Sequence, residues 1–218
     1  MNAPNALLHW PAEWAKQDAV WFSWPHRQDT WPAEKLAQIQ LQFSKLISTA
    51  ARFQQVSINA HQSLHKGIEK ALAAVGCPLA NITLHHHATN DVWCRDHGST
   101  FVINQDTNKL RAVDWHFNAW GGKFAPWELD DEIAQRMAIA TGAEHYRSPL
   151  FFEGGAIEGN GAGTLITTEA VALNPNGGWQ DLPLEFRSNP RVEHCAGFQS
   201  GTPLESRRPV HGLHGVSQ

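Results

Sequence analysis

Cysteine is scarce in this 218-residue chain, with three residues at Cys77, Cys94 and Cys195. Their scattered spacing gives neither a disulfide framework nor a zinc pattern. No apolar run is long enough to span a bilayer. The N-terminus lacks a charged stretch followed by an apolar one, as a signal peptide needs. A reducing cytoplasm is therefore the default location. Charge is also sparse, at 17% of residues, and nets −4 with a pI near 6.3. That balance argues against nucleic acid or an anionic membrane as partner. Tyrosine occurs once, against ten tryptophans. Hydrophobic residues reach 42%, which excludes a disordered composition and allows a sizeable core at this length. Core packing is the first reading of Trp10, Trp14, Trp21, Trp24 and Trp31.

Strands and helices alternate along the chain. Ala19–Trp24, Gln55–Ala60 and Asn81–His87 read as strands. Between the first two, Thr30 reads as a helix cap with Pro32 in the first turn. Leu36, Ile39, Phe43, Leu46, Ile47 and Ala50 then share a helical face. Leu64, Ile68, Leu72 and Val75 mark a second helix, closed by Gly76. Thr100–Ile103 and Leu110–Trp115 suit a hairpin around Asp106–Lys109. Leu129, Ile133, Met137 and Ala140 mark a third helix ending at Gly142. Ala156–Glu158 and Thr164–Thr168 suit another hairpin, its turn Gly159–Gly163 rich in residues that tolerate positive φ. Strand pairs alternating with helices argue α/β or α+β.

Three blocks carry the chemistry. Asn90–Gly98 holds Trp93 and Asp96, Asp114–Lys123 holds Trp120, and Phe152–Glu158 opens on Glu153 followed by two glycines. Each sets carboxylates beside tryptophans or glycines at a strand end, which suits a flat organic cation. A carboxylate holds a planar guanidinium through two parallel hydrogen bonds, and an indole face stacks on the same cation. Asp91 reads equally as an Asx turn or a ligand, and Asp114 as a support of the fold.

In this order the blocks resemble those of the guanidine-modifying enzymes, and most closely the agmatine deiminase / bacterial peptidyl-arginine deiminase family. The resemblance runs from about Trp10 to Asn176. It implies an α+β fold of pentein type, with ββαβ modules fanned around a pseudo-fivefold axis, of which this stretch is roughly the N-terminal half. It implies a small cationic guanidine as partner and a C–N hydrolase as activity. In such a reaction a thiolate attacks the guanidinium carbon, ammonia leaves, and water hydrolyses the covalent adduct. Asp96 then matches the catalytic and substrate-gripping aspartate, Trp93 the residue packing beside it, and Glu153 the acid of the Glu-Gly-Gly hairpin. Trp120 stands where relatives acting on free arginine place an arginine, so the resemblance favours agmatine. Peptidyl-arginine or arginine deimination remains the alternative, as does a non-catalytic remnant that binds guanidinium weakly.

Other features are weaker. His85, His86 and His87 would alternate faces on a strand, so no shared metal is expected, and no cofactor is expected either. The Gly159–Gly163 run lacks the Lys-Ser/Thr and following helix of a phosphate loop. Cys94 reads as a packed thiol, because the family's nucleophile lies in a C-terminal Gly-rich His-Cys motif that neither Cys94 nor Cys195 matches. The family's Gly-His-x-Asp acid/base segment has no counterpart at His211 or His214. Composition changes after Asn176: residues 177–218 hold four arginines and no lysine. They show no periodic apolar pattern and are expected to be a non-matching, disordered tail, one reading of which is a frameshift.

Overall fold

The computed structural model describes residues 7–168, Val171 and the strand His194–Phe198. In chain order the elements are β1 Leu8–His9, β2 Ala19–Ser23, α1 Ala33–Ala50, β3 Gln55–Ala60, α2 His65–Ala74, β4 Ile82–His86, α3 Cys94–His97, β5 Thr100–Asn104 and β6 Lys109–His116. They continue as a helical turn α4 Ala119–Gly122, α5 Glu128–Asp131, α6 Ile133–Thr141, β7 Glu144–Phe151, β8 Ile157–Gly159, β9 Thr164–Thr168 and β10 His194–Phe198. The chain divides into two compact units: Lys16–Cys94 with Ala125–Ile133, and Arg95–Phe124 with Met1–Ala15 and Ala134–Gln218. The architecture is α+β.

The Lys16–Cys94 unit is a parallel sheet in the order β2-β3-β4 with α1 and α2 as its connections. One face alternates Val20, Phe22, Val56, Ile58, Ile82 and Leu84, and these pack with Ile47, Ile68 and Leu72 of the helices. Fully burying Val56, Ile58, Ile47, Ile68 or Leu72 contributes about 1.5–3 kcal/mol each, and the partly buried Val20, Phe22, Ile82 and Leu84 contribute less. Ser44 and Ser48 lie on the buried side of α1, while Leu46, expected on that face, is 52% exposed. The helix starts after Pro32 with no side-chain cap. Thr30, expected to cap it, donates instead to Asp91 Oδ2 at 2.6 Å. The opposite sheet face carries polar and aromatic groups. Trp21 stacks on His85 with centroids 4.6 Å apart, and His85 on His87 at 5.1 Å. His86 points the other way and meets His61 edge-on. The alternation expected of a strand thus divides the triplet, and among the described residues no group of three potential ligands is placed to hold a metal ion.

In the other unit β5 and β6 form an antiparallel hairpin, with β1 on the free edge of β5 and β7 parallel to β6. β7 escapes the sequence pattern because it is polar and contains Pro149, a residue that removes a ladder donor. Its place is fixed by charge. Asp114, 1% exposed, accepts from Arg147 Nη1 at 2.5 Å and pairs with His145 Nε2 at 2.7 Å across the β6–β7 register. This agrees with its reading as a support. The helix expected over Leu129–Ala140 is split into α5 and α6. Trp14, read as core, is 79% exposed. β8 and β9 form the second hairpin, and β10 pairs parallel to β9. β10 falls in the stretch expected to be without regular structure. A strand added to the free edge of β9 needs only backbone partners, so no side-chain alternation announces it. The rest of that stretch lies outside the described residues.

Candidate functional site

Asp96 and Glu153 come from two short segments that the glycines between them allow to touch. Asp96 sits on α3, a single turn leading out of the Trp93 block. Glu153 precedes the 3₁₀ turn Gly154–Ala156, which leads into β8. A methyl on Gly155 would lie 2.2 Å from Asp96 Oδ1, and one on Gly154 would lie 2.5 Å from the Arg95 carbonyl oxygen. Only glycine therefore permits this approach. The Gly155 N–H donates to the Asp96 carboxylate.

The electrostatics follow from that closeness. Burial pushes the Asp96 carboxyl above its usual range, against the opposing charges of His97 and Arg95 and the Gly155 bond. Burial also pushes Glu153 up, the Asp96 charge adds to the rise, and Lys123 works against it. Two half-buried carboxylates that repel one another favour a bound proton or a bound cation. A planar cation with several N–H donors answers both acids at once.

Trp120 is held on an unusual turn. Ala119 and Trp120 have φ of 50° and 59°, and Gly121 and Gly122 continue at 80° and 79°. Left-handed backbone costs roughly 1–2 kcal/mol per non-glycine residue, so the turn needs support. Asn118 Oδ1 accepts from Gly121 N at 2.8 Å, and Asn118 O from Gly122 N at 2.7 Å. The Trp120 indole meets Phe117 and Phe124 edge-on at 5.5 and 5.7 Å, and Phe117 meets His97, the neighbour of Asp96, at 5.8 Å.

Asp96, Glu153 and Trp120 thus share one unit. Trp93 belongs to the other, its side chain exposed, and two residues of chain separate it from Asp96. Asp91 is 7% exposed, accepts from Val92 N at 2.8 Å and from Thr30, and so closes a local turn. The Cys94 thiol receives the Asn59 amide at 3.7 Å, and Asn59 in turn bonds His87 at 2.9 Å. Arg95 does not bridge to Asp96. It pairs with Glu13 at 2.5 Å and Glu158 at 3.0 Å. The Arg95 arrangement is invisible to motif reading because its partners lie 63 and 82 residues away in sequence.

Comparison with known proteins is consistent along most of the chain. The sequence pattern of the Porphyromonas-type peptidyl-arginine deiminases matches residues 9–182. A Yersinia pestis protein assigned as an agmatine deiminase is 42% identical over 170 residues, covering 76% of this chain and 44% of its own length. A Shewanella frigidimarina protein of the same assignment is 40% identical over 172 residues, with the same two shares of 76% and 44%. The agmatine deiminase of Enterococcus faecalis superposes with a TM-score of 0.77 at 30% identity, over 88% of this chain and 53% of that one. The substrate-bound agmatine deiminase of C. jejuni shares the fold at a TM-score of 0.75 and 23% identity, over 93% and 59%. The chain spans less than half the length of the sequence relatives it matches.

Proposed function

The chain belongs to the Porphyromonas-type peptidyl-arginine deiminase family, and from that membership we propose that it carries the guanidinium-gripping half of an agmatine deiminase. The observation that carries this reading is the Asp96–Glu153 pair. Two half-buried carboxylates lie close enough for one charge to raise the other's pKa. In this reading Asp96 and Glu153 accept from two edges of the planar guanidinium, Trp93 packs beside it, and the Trp120 indole covers the aminobutyl chain. An indole offers nothing to a substrate carboxylate, so agmatine is preferred to arginine. Deimination in the whole protein gives N-carbamoylputrescine and ammonia, a cytoplasmic step toward putrescine.

No residue of this chain matches the family's thiolate nucleophile or its histidine acid/base. Carboxylates alone cannot form the covalent adduct, so the 218-residue chain is proposed to bind the cation without turning it over. Calorimetric titration of the purified chain with agmatine and arginine, beside an ammonia assay, tests both statements. Agmatine should bind more tightly than arginine, Asp96→Asn should weaken binding at least tenfold, and no ammonia should appear. Equal binding of both ligands by wild type and Asp96→Asn would overturn the site. Turnover lost on Cys94→Ala would make Cys94 the nucleophile.

A further inference from the structure

The N-terminal segment meets the candidate site from outside, at Arg95. β1 ties it to the edge of β5, with Leu8 opposite Asn104 and His9 opposite Ile103. Gln105 N donates to Leu7 O at 2.8 Å on the same edge. The chain then crosses to the turn of the β8–β9 hairpin. A methyl on Gly159 would lie 2.7 Å from the Trp10 ring, and one on Gly161 would lie 2.6 Å from the Ala12 nitrogen. Both glycines are thus occupied by the crossing segment. One residue further, Glu13 takes Arg95 Nη1, while Arg95 Nη2 takes Glu158 on β8. The Arg95 backbone and side chain meanwhile press on Gly154 and Gly155, its carbonyl oxygen on the first and its Cγ on the second.

One guanidinium therefore joins three parts of the chain: the N-terminal segment, α3 and the hairpin that follows Glu153. The three side chains are 50 to 58% exposed, so the pairs contribute little to global stability. Their effect is positional. Asp96 is the next residue along α3, and its carboxylate is held by the amide of Gly155, the residue on which Arg95 packs.

We propose that Arg95 is a positioning residue, and that with the strap Trp10–Glu13 it fixes α3 against the Gly154–Gly155 turn and so sets the spacing of the Asp96 and Glu153 carboxylates. The inference rests on the reading of that pair as the cation site. A lysine cannot replace the arginine here. Its ammonium is a point charge, whereas the guanidinium fork aims separate N–H groups at two carboxylates. The strap also gives the site a remote control point, because any event that lifts Trp10 or Ala12 from the hairpin turn withdraws Glu13 from Arg95.

The test reads the Gly155 amide of the full 218-residue chain by nuclear magnetic resonance, with no ligand present. Its exchange rate reports the bond to Asp96, and its pH titration reports the Asp96 carboxyl. The Ala143 amide, bonded to Ala138 O at 3.0 Å, is the control. Arg95→Met should speed Gly155 exchange at least tenfold and move its titration midpoint upward, with Ala143 unchanged. Arg95→Lys should speed exchange while keeping the midpoint, because charge stays and the fork is lost. Glu13→Gln, which leaves α3 and the hairpin intact, should speed exchange severalfold. In the same variants agmatine affinity should fall in step with Gly155 exchange. Unchanged Gly155 exchange in Arg95→Lys and Glu13→Gln overturns the proposal, as does equal acceleration at Gly155 and Ala143. Absence of agmatine binding by wild type would sink the proposed function alone, since the amide still decides the role of Arg95.

Discussion

Replacing Gly155 by alanine places a methyl 2.2 Å from Asp96 Oδ1 and 3.3 Å from its Cγ. Carbon and oxygen settle near about 3.3 Å, so the carboxylate or the turn must retreat by about 1 Å. Accommodating an extra methyl in a packed place costs roughly 1–3 kcal/mol. The retreat also stretches the Gly155 N–H bond to the carboxylate, worth about 1.5–3 kcal/mol for a charged acceptor. The half-exposed setting lets part of both losses relax, which leaves an expected destabilisation of about 2–4 kcal/mol. Guanidinium recognition suffers as well, because a bidentate fork does not tolerate a displaced partner; about a tenfold to hundredfold loss in affinity follows, or 1.4–2.7 kcal/mol. Gly142→Ala is the matched control. That glycine has φ of +68° and nothing within 4 Å of the added methyl. It should cost about 1 kcal/mol from left-handed strain and leave binding untouched. Urea denaturation with calorimetric agmatine titration measures both quantities. A Gly155→Ala chain as stable as wild type and binding agmatine equally well would refute the close approach of the two segments.

The raised carboxyls predict opposing pH dependences. The folded chain holds the protons of Asp96 and Glu153 more tightly than the unfolded chain, so its unliganded stability falls as pH rises from the ordinary carboxylate value through the raised one. Melting temperature against pH should show that slope, and Asp96→Asn should flatten it, while agmatine affinity should rise across the same window. Trp120→Gly relieves about 1–2 kcal/mol of left-handed strain and loses two edge-on aromatic contacts of about 0.5–1.5 kcal/mol each. Its unfolding free energy should stay within about 1 kcal/mol of wild type, and agmatine binding should weaken; a loss of 3 kcal/mol or more would mean the turn is unstrained. Asp114→Asn removes the buried charge that holds Arg147 and should cost about 3 kcal/mol in urea unfolding. His145→Ala, which loses the more exposed partner of Asp114, should cost clearly less.

Periodicity revealed most of the parallel unit, because each strand there alternates one buried apolar face and each helix closes on a glycine or a turn. Both hairpins were legible for the same reason, their turns being rich in residues that accept positive φ. β7 was not, since His145 and Arg147 are polar because of Asp114 and Glu144 because of Arg111, partners that lie 30 or more residues away. Nor was the break between α5 and α6, or the exposure of Trp14 and Leu46, because hydrophobicity states what can be buried and not what is. At the candidate site, residue identities singled out Asp96 and Glu153, which lie in neighbouring segments. What brought the acids together was less visible: two glycines tell of close approach but not of what approaches, and the left-handed turn under Trp120 follows from the Asn118 brace more than from the Gly121-Gly122 pair alone.

The edge position of β1 has a kinetic side. Residues 19–86 pair β2, β3 and β4 through short local crossovers, so that sheet gains its contacts early as the chain is made. Leu8 and His9 are made first, yet their partners Asn104 and Ile103 come about 95 residues later. At synthesis speeds of about 5–20 residues per second, the N-terminal segment waits on the order of 5–20 seconds for the strand it joins. During that interval Leu7, Leu8 and Trp10 lack the edge and the turn on which they later pack, and Glu13 reaches Arg95 only when the β5 edge has been delivered. A slow co-translational step is thereby written into the position of a two-residue strand.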